Sequence, residues 1–213
     1  MVDGAFSSMR IGGWDVVAHR DRERVHCETS TQWRAWLDEH HDSTDGVWLV
    51  SWKTATGKPR MSYEESVVEA LAVGWVDSMG LTIDDDRSML WFARRKPSSG
   101  WSRPNKQRVE RLEAEGRMGP AGRRAIEVAK ANGAWTLLDD VEDLVVPDDL
   151  AAALAARPGA AEHWEAFPPS ARRGILGWIV QARTAPTRAR RIAEAAEKAS
   201  EGKRANQWPR TST

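Results

Sequence analysis

Beyond Gly100 the chain leaves little room for a sheet. Apolar residues recur at helical spacing over about 103–115, 119–132, 147–156, 170–183 and 187–200, and glycine or proline at 119, 120, 147, 158, 159, 168, 169 and 186 punctuates the stretches. β-Structure is thereby confined to the N-terminal half. There Val47–Lys53 alternates, with Trp48, Val50 and Trp52 on one face, and Leu81–Ile83 and Met89–Phe92 flank an aspartate-rich turn at 84–86. The expected fold class is α+β, predominantly α-helical, with a small antiparallel sheet in the N-terminal half and a helical C-terminal half.

Two helices belong with that sheet. Ser30 or Thr31 opens one that carries Trp33, Trp36 and Leu37, and it breaks at 40–46. Ser62 and Glu65 form a capping box for the other, along which Val67, Leu71 and Trp75 recur every four residues before Gly74 and the run 76–80 mark its exit. The expected organisation is a loose leader over 1–12, a single α+β domain over 13–201 (a mixed half 13–100, a helical half 101–201) and a polar tail over 202–213. The Ala-rich stretch 151–161 reads as ordinary helix.

Thirty-one cations and thirty-one acids cancel, so no whole-molecule field draws the chain to nucleic acid or an anionic membrane. No apolar run reaches the length of a membrane span, the N-terminus lacks a secretion signal, and the lone Cys27 cannot form an internal disulfide, which together point to the cytoplasm. Twelve tryptophans stand against one tyrosine and three phenylalanines, and most of these indoles are expected as core anchors.

No dinucleotide loop, phosphate loop, paired-histidine zinc helix, cysteine pair or nucleophile elbow is present, so no cofactor is expected. The histidines at 19, 26, 40, 41 and 163 share no helical face and the aspartates at 84–86 read as a solvated turn, so no metal site is expected either. Local chemistry concentrates between Gly74 and Asn105. Arg94, Arg95 and Lys96 precede Ser99, Trp101, Ser102 and Asn105 at a helix start, where free amides and a guanidinium can hold an anion. Against this, Ser102 can simply cap the helix while the arginines pair with the nearby aspartates. Asp77, just after an apolar helix, is the candidate for a partly buried carboxylate.

In chain order, the run Ser62-Tyr-Glu-Glu-Ser-Val-Val-Glu-Ala-Leu-Ala-Val-Gly-Trp-Val-Asp77, then Arg94-Arg-Lys-Pro, Trp101-Ser102, Asn105, Arg108-Val-Glu110 and Gly116-Arg-Met118-Gly-Pro-Ala-Gly122, resembles the YdeI/OmpD-associated (bacteriocin-protection) family. Trp33-Arg-Ala-Trp36, Gly46-Val-Trp-Leu, Trp178-Ile179 and Thr187-Arg-Ala-Arg-Arg-Ile192 extend the likeness over about 26–204. The resemblance implies a part in bacterial survival of antimicrobial peptides or related stress, and carries no catalytic residue with it. Where members often have a cysteine and an aromatic before Gly-Trp, this chain has Ala72 and Val73, which argues against an essential thiol there.

The leading expectation is a small-molecule or peptide-binding protein of stress or antimicrobial resistance. Its ligand, anionic or aromatic, would lie in a pocket walled by Trp48, Trp52, Trp75, Trp91 and Trp101, with Asp77, Arg94 and Arg95 as polar contacts and Ser99, Ser102 and Asn105 at the helix start. One alternative is a hydrolase or group transferase with Asp77 as general base and the Arg94–Ser102 loop stabilising an anion. Another is a nucleic-acid adaptor using the basic C-terminal helices, disfavoured because Glu194, Glu197 and Glu201 interleave with their cations.

Overall fold

The computed structural model describes residues 10–11, 14–15 and 21–206. Of the expected leader only 10–11 fall within these, as do 202–206 of the tail, while His19 lies outside them. Two two-residue strands, β1 (Arg10–Ile11) and β2 (Trp14–Asp15), pair antiparallel. The elements that follow are β3 (Arg24–His26), α1 (Ser30–His40), β4 (Gly46–Trp52), α2 (Tyr63–Ala72), β5 (Trp75–Thr82), β6 (Arg87–Arg94), α3 (Arg103–Ala114), α4 (Pro120–Ala131), α5 (Asp139–Glu142), α6 (Asp148–Ala155), α7 (Ala160–Ala166), α8 (Pro169–Val180) and α9 (Ala185–Ser200). The class is α+β, as the sequence indicates. By contacts the chain divides into two compact units, 1–96 with 108–126, and 97–107 with 127–213.

The first unit holds a four-stranded sheet in the order β3-β4-β6-β5. The three long strands are antiparallel neighbours, and the short edge strand β3 adds parallel to β4, so the sheet is mixed. β3-α1-β4 and β4-α2-β5 are both crossovers, the second split by β6. The caps follow from the sequence with one shift. Ser62 and Glu65 form the expected box, but α1 is capped one residue early, by Thr29 with Gln32. Trp75, spaced as if it continued α2, instead begins β5. Gly74 takes φ +77° and donates its N–H to the Leu71 carbonyl, and that left-handed residue ends the helix.

Directly paired residues share a sheet face. On one face Val47, Phe92 and Trp75 lie under the helices: Trp33 of α1 packs its ring 5.3 Å from Phe92 and donates its indole N–H to the Ser66 carbonyl, and Trp36 meets Trp75 edge-on at 6.2 Å. On the other face Trp48, Val50, Met79, Met89 and Trp91 form one apolar cluster, with Trp48 and Trp91 edge to face at 5.3 Å. Met79 reaches that face because of a bulge: Asp77 opposes Phe92 and Gly80 opposes Leu90, so β5 spends one residue more than β6 between them.

In the second unit α6 to α9 enclose a separate core built on Leu150, Leu154, Trp164, Ile175, Leu176, Ile179 and Ile192. The Ala-rich stretch is two helices rather than one, because Gly159 at φ +73° breaks it between α6 and α7. The cations of the last helices are largely committed to acids or carbonyls. Arg188 makes a bidentate pair with Asp149 at 2.7 and 2.9 Å, Arg172 pairs with Glu165 at 2.8 Å, and Arg191 donates to the Trp178 carbonyl.

Gly122 sits in α4 where a Cβ would come within 2.5 Å of both the Ala72 carbonyl oxygen and Met118 Sδ, whereas Gly174 in α8 faces open space. Gly122→Ala is therefore expected to destabilise by about 1–3 kcal/mol through overpacking. Gly174→Ala should be neutral or stabilise by up to about 1 kcal/mol through helix propensity. Urea unfolding followed by far-UV circular dichroism distinguishes the two, and equal effects would contradict this account of the packing.

Candidate functional site

The residues expected to form one pocket take different places. Trp48, Trp75, Trp91 and Trp101 are at most 3% exposed and serve as core. Trp75 donates its indole N–H to the His41 carbonyl, and Trp101, in the helical unit, packs 5.0 Å from Trp135. Arg94 spends its guanidinium on the backbone, donating to the carbonyls of Asp42 at 3.0 Å and His41 at 3.3 Å, which fastens the turn between α1 and β4. Ser99, Ser102 and Asn105 belong to the helical unit. There the first amide of α3 donates to Glu142 Oε1 at 3.4 Å, Arg103 pairs with Asp143 at 2.5 Å and Lys106 with Asp139. The protein's own carboxylates thus answer the positive end of that helix.

Trp52 is different. Half-buried at the end of β4, it donates its indole N–H to Glu28 at 3.1 Å, carries the Lys58 ammonium 3.8 Å from its ring centroid, and borders an open groove on the sheet. The groove exists because helices rise about 1.5 Å per residue and strands about 3.3 Å. The ten residues of α2 span about 15 Å and the eight of β5 about 26 Å, so the far end of the sheet lies beyond the helix. Two abutting cavities of about 340 and 330 Å³ occupy that end and share Leu49, Ser51, Ser88 and Leu90 as their floor. Register places Ser51, Ser88 and Thr82 in one row straight across β4, β6 and β5, with Leu49, Leu90 and Gly80 in the row behind. The three hydroxyls of the first row make no hydrogen bond with another described residue. Met61, Lys53 and Arg60 line the rim, the lysine donating to the Asp84 carbonyl at 2.6 Å.

Tyr63, the first residue of α2, lines the groove, and its hydroxyl donates to Asp77 Oδ2 at 2.9 Å. Desolvation of the hydroxyl, its bond to Asp77 and that carboxylate's charge push the tyrosine up to about 12. Next to it, the hydrogen bond from Arg108, reinforced by Arg111, holds the Glu64 carboxyl down at about 2. Arg95 is buried, and burial pulls its guanidinium down to about 10 against the opposing pull of Asp77, so it is charged at neutral pH. Asp77 therefore stands one row behind the groove, between a phenol that orders the end wall and the charge of Arg95. Sequence reasoning reached Asp77, Arg95 and Trp52 but not Tyr63 or the hydroxyl row. The available signals were an only tyrosine inside a capping box and a serine at the alternate position between Val50 and Trp52.

The comparisons divide along the same lines as the chain. Residues 143–202 match the family model described as Bacteriocin-protection, YdeI or OmpD-Associated, a partial match over α6 to α9. The chain's resemblance to that family is shown there. Residues 25–125, which hold nearly all of the sheet, the groove and the whole run from Ser62 to Gly122, match a model described as Domain of unknown function (DUF8412). No curated protein and no solved structure matches the chain. Among the described residues no helix is long and apolar enough to cross a membrane.

Because Tyr63 is the only tyrosine, phenolate absorbance near 295 nm reads this site alone. The expected midpoint is about 12, and Asp77→Asn should bring it down toward the ordinary 10 without reaching it, since desolvation remains. A raised phenol favours the folded state below pH 10, and this contribution is lost as pH rises from there through about 12. An unshifted midpoint in the variant would contradict the Tyr63–Asp77 contact.

Proposed function

We propose that this chain is a ligand-binding protein of bacterial defence against antimicrobial agents, acting in the cytoplasm, whose small amphipathic ligand or peptide segment lies in the sheet-end groove of the first unit. The observation that carries this reading is the pair of abutting cavities over Leu49, Ser51, Ser88 and Leu90. Their combined size is of the order that suits a small-molecule site, and an apolar floor with a few placed polar groups is how such sites bind and orient their ligands. Arg60 and Lys53 at the rim favour an anionic group, and Tyr63, held by Asp77, walls the end. Of the five tryptophans expected around the ligand, Trp52 borders the groove at the end of β4, its ring turned to the opposite face, against His26. The family match over 143–202 supports the association with bacteriocin protection.

The amphipathic anion 8-anilinonaphthalene-1-sulfonate is a suitable probe. It should bind with a rise in its own emission and quenching of tryptophan emission. Ser88→Phe, which fills the floor, should weaken binding at least tenfold, about 1.4 kcal/mol, at unchanged circular dichroism. Unaltered dye affinity in that variant would remove the groove as the binding site.

A further inference from the structure

Resting on the groove as the ligand site, we propose that its ligand is a saccharide carrying a carboxylate, of the uronic acid class. The row formed by Ser51, Ser88 and Thr82 is the reason. Each hydroxyl both donates and accepts, and the three are free of other described residues, so the row complements a ligand whose own groups do both. Adjacent strands lie about 4.8 Å apart, which spaces the hydroxyls on the scale of a pyranose ring rather than of a single small anion. Behind the row, the half-buried Leu90 stands directly opposite Gly80, where no side chain stands in the way of a sugar's C–H face, while Leu49 beyond it is buried.

The charge at the rim selects within the sugars. Arg60 is exposed on the loop before α2 and lines the groove, while the Lys53 ammonium is committed to the Asp84 carbonyl. One available guanidinium matches one carboxylate, bidentately. A phosphate-rich ligand would call for several converging cations. An extended peptide adding to the sheet would bond along an edge strand, whereas this groove lies on the face, across three strands.

The test is saturation-transfer NMR on the full chain with glucuronate and with glucose, alongside the naphthalene sulfonate dye. Glucuronate should receive saturation and displace the dye, and glucose should bind at least fivefold more weakly. Ser51→Ala with Ser88→Ala should weaken glucuronate about tenfold, the scale of two lost hydrogen bonds. Arg60→Ala should abolish the preference for glucuronate over glucose. Dye that binds in the groove, is blocked by Ser88→Phe, yet is displaced by neither sugar would overturn the saccharide assignment and leave the groove standing. Dye and sugars both indifferent to Ser88→Phe would overturn the groove itself.

Discussion

A helix and a strand of similar residue count cover different distances, and the first unit is organised around that inequality. α1 and α2 shield the rows that contain Val47, Phe92 and Trp75, all fully buried, with Asp77 and Arg94 at the ends of the same rows. Where the helices begin, the rows change to leucine with glycine, and then to serine, serine and threonine. The change of residue type follows the loss of cover, since exposed leucines or tryptophans across a full row would make a sticky patch. The groove is thus the place where a sheet outruns its helices, and its lining is suited to water in the absence of anything else.

That arrangement also decides what the sequence could disclose. Helix-forming stretches beyond Gly100, the Ser62–Glu65 box and the aspartate turn are local patterns, and local patterns survive without knowledge of the fold. The short α5 and α7 escaped because four and seven residues carry too little periodicity, and β3 because three residues of edge strand have no alternation to show. Trp75 read as helical since it stands four residues from Leu71, and only the conformation of Gly74 separates them. The candidate site fared likewise. Asp77 announced itself as a carboxylate after an apolar helix, and Arg95 as part of a run of three cations before a helix start. The hydroxyl row did not, because Ser51, Thr82 and Ser88 are neighbours only once the register of three strands is fixed. The count of tryptophans pointed to core anchors, which is how most of the described ones are used, while those expected around a pocket are spread between the faces of the sheet and the helical unit.

The two family models apportion the chain in a way that bears on function. The part matched to the bacteriocin-protection model is the helical core of α6 to α9, whose cations are tied to Asp149, Glu165 and the Trp178 carbonyl. The part with the groove matches a domain whose function is unknown. The match to the bacteriocin-protection model and the sheet-end groove therefore rest on different residues of one chain.

The irregularity in β5 has a consequence for how this strand tolerates change in length. The extra residue between Asp77 and Gly80 acts as a parity switch: before it, odd positions look toward the helices, and after it, even ones do. Loss of one residue there would not shorten the strand harmlessly. It would exchange inside for outside along everything that follows, sending Thr82 and Gly80 to the Trp48–Trp91 cluster and Leu81 into the groove. A single codon deletion would thus rewrite the chemistry of the groove while leaving every strand in place.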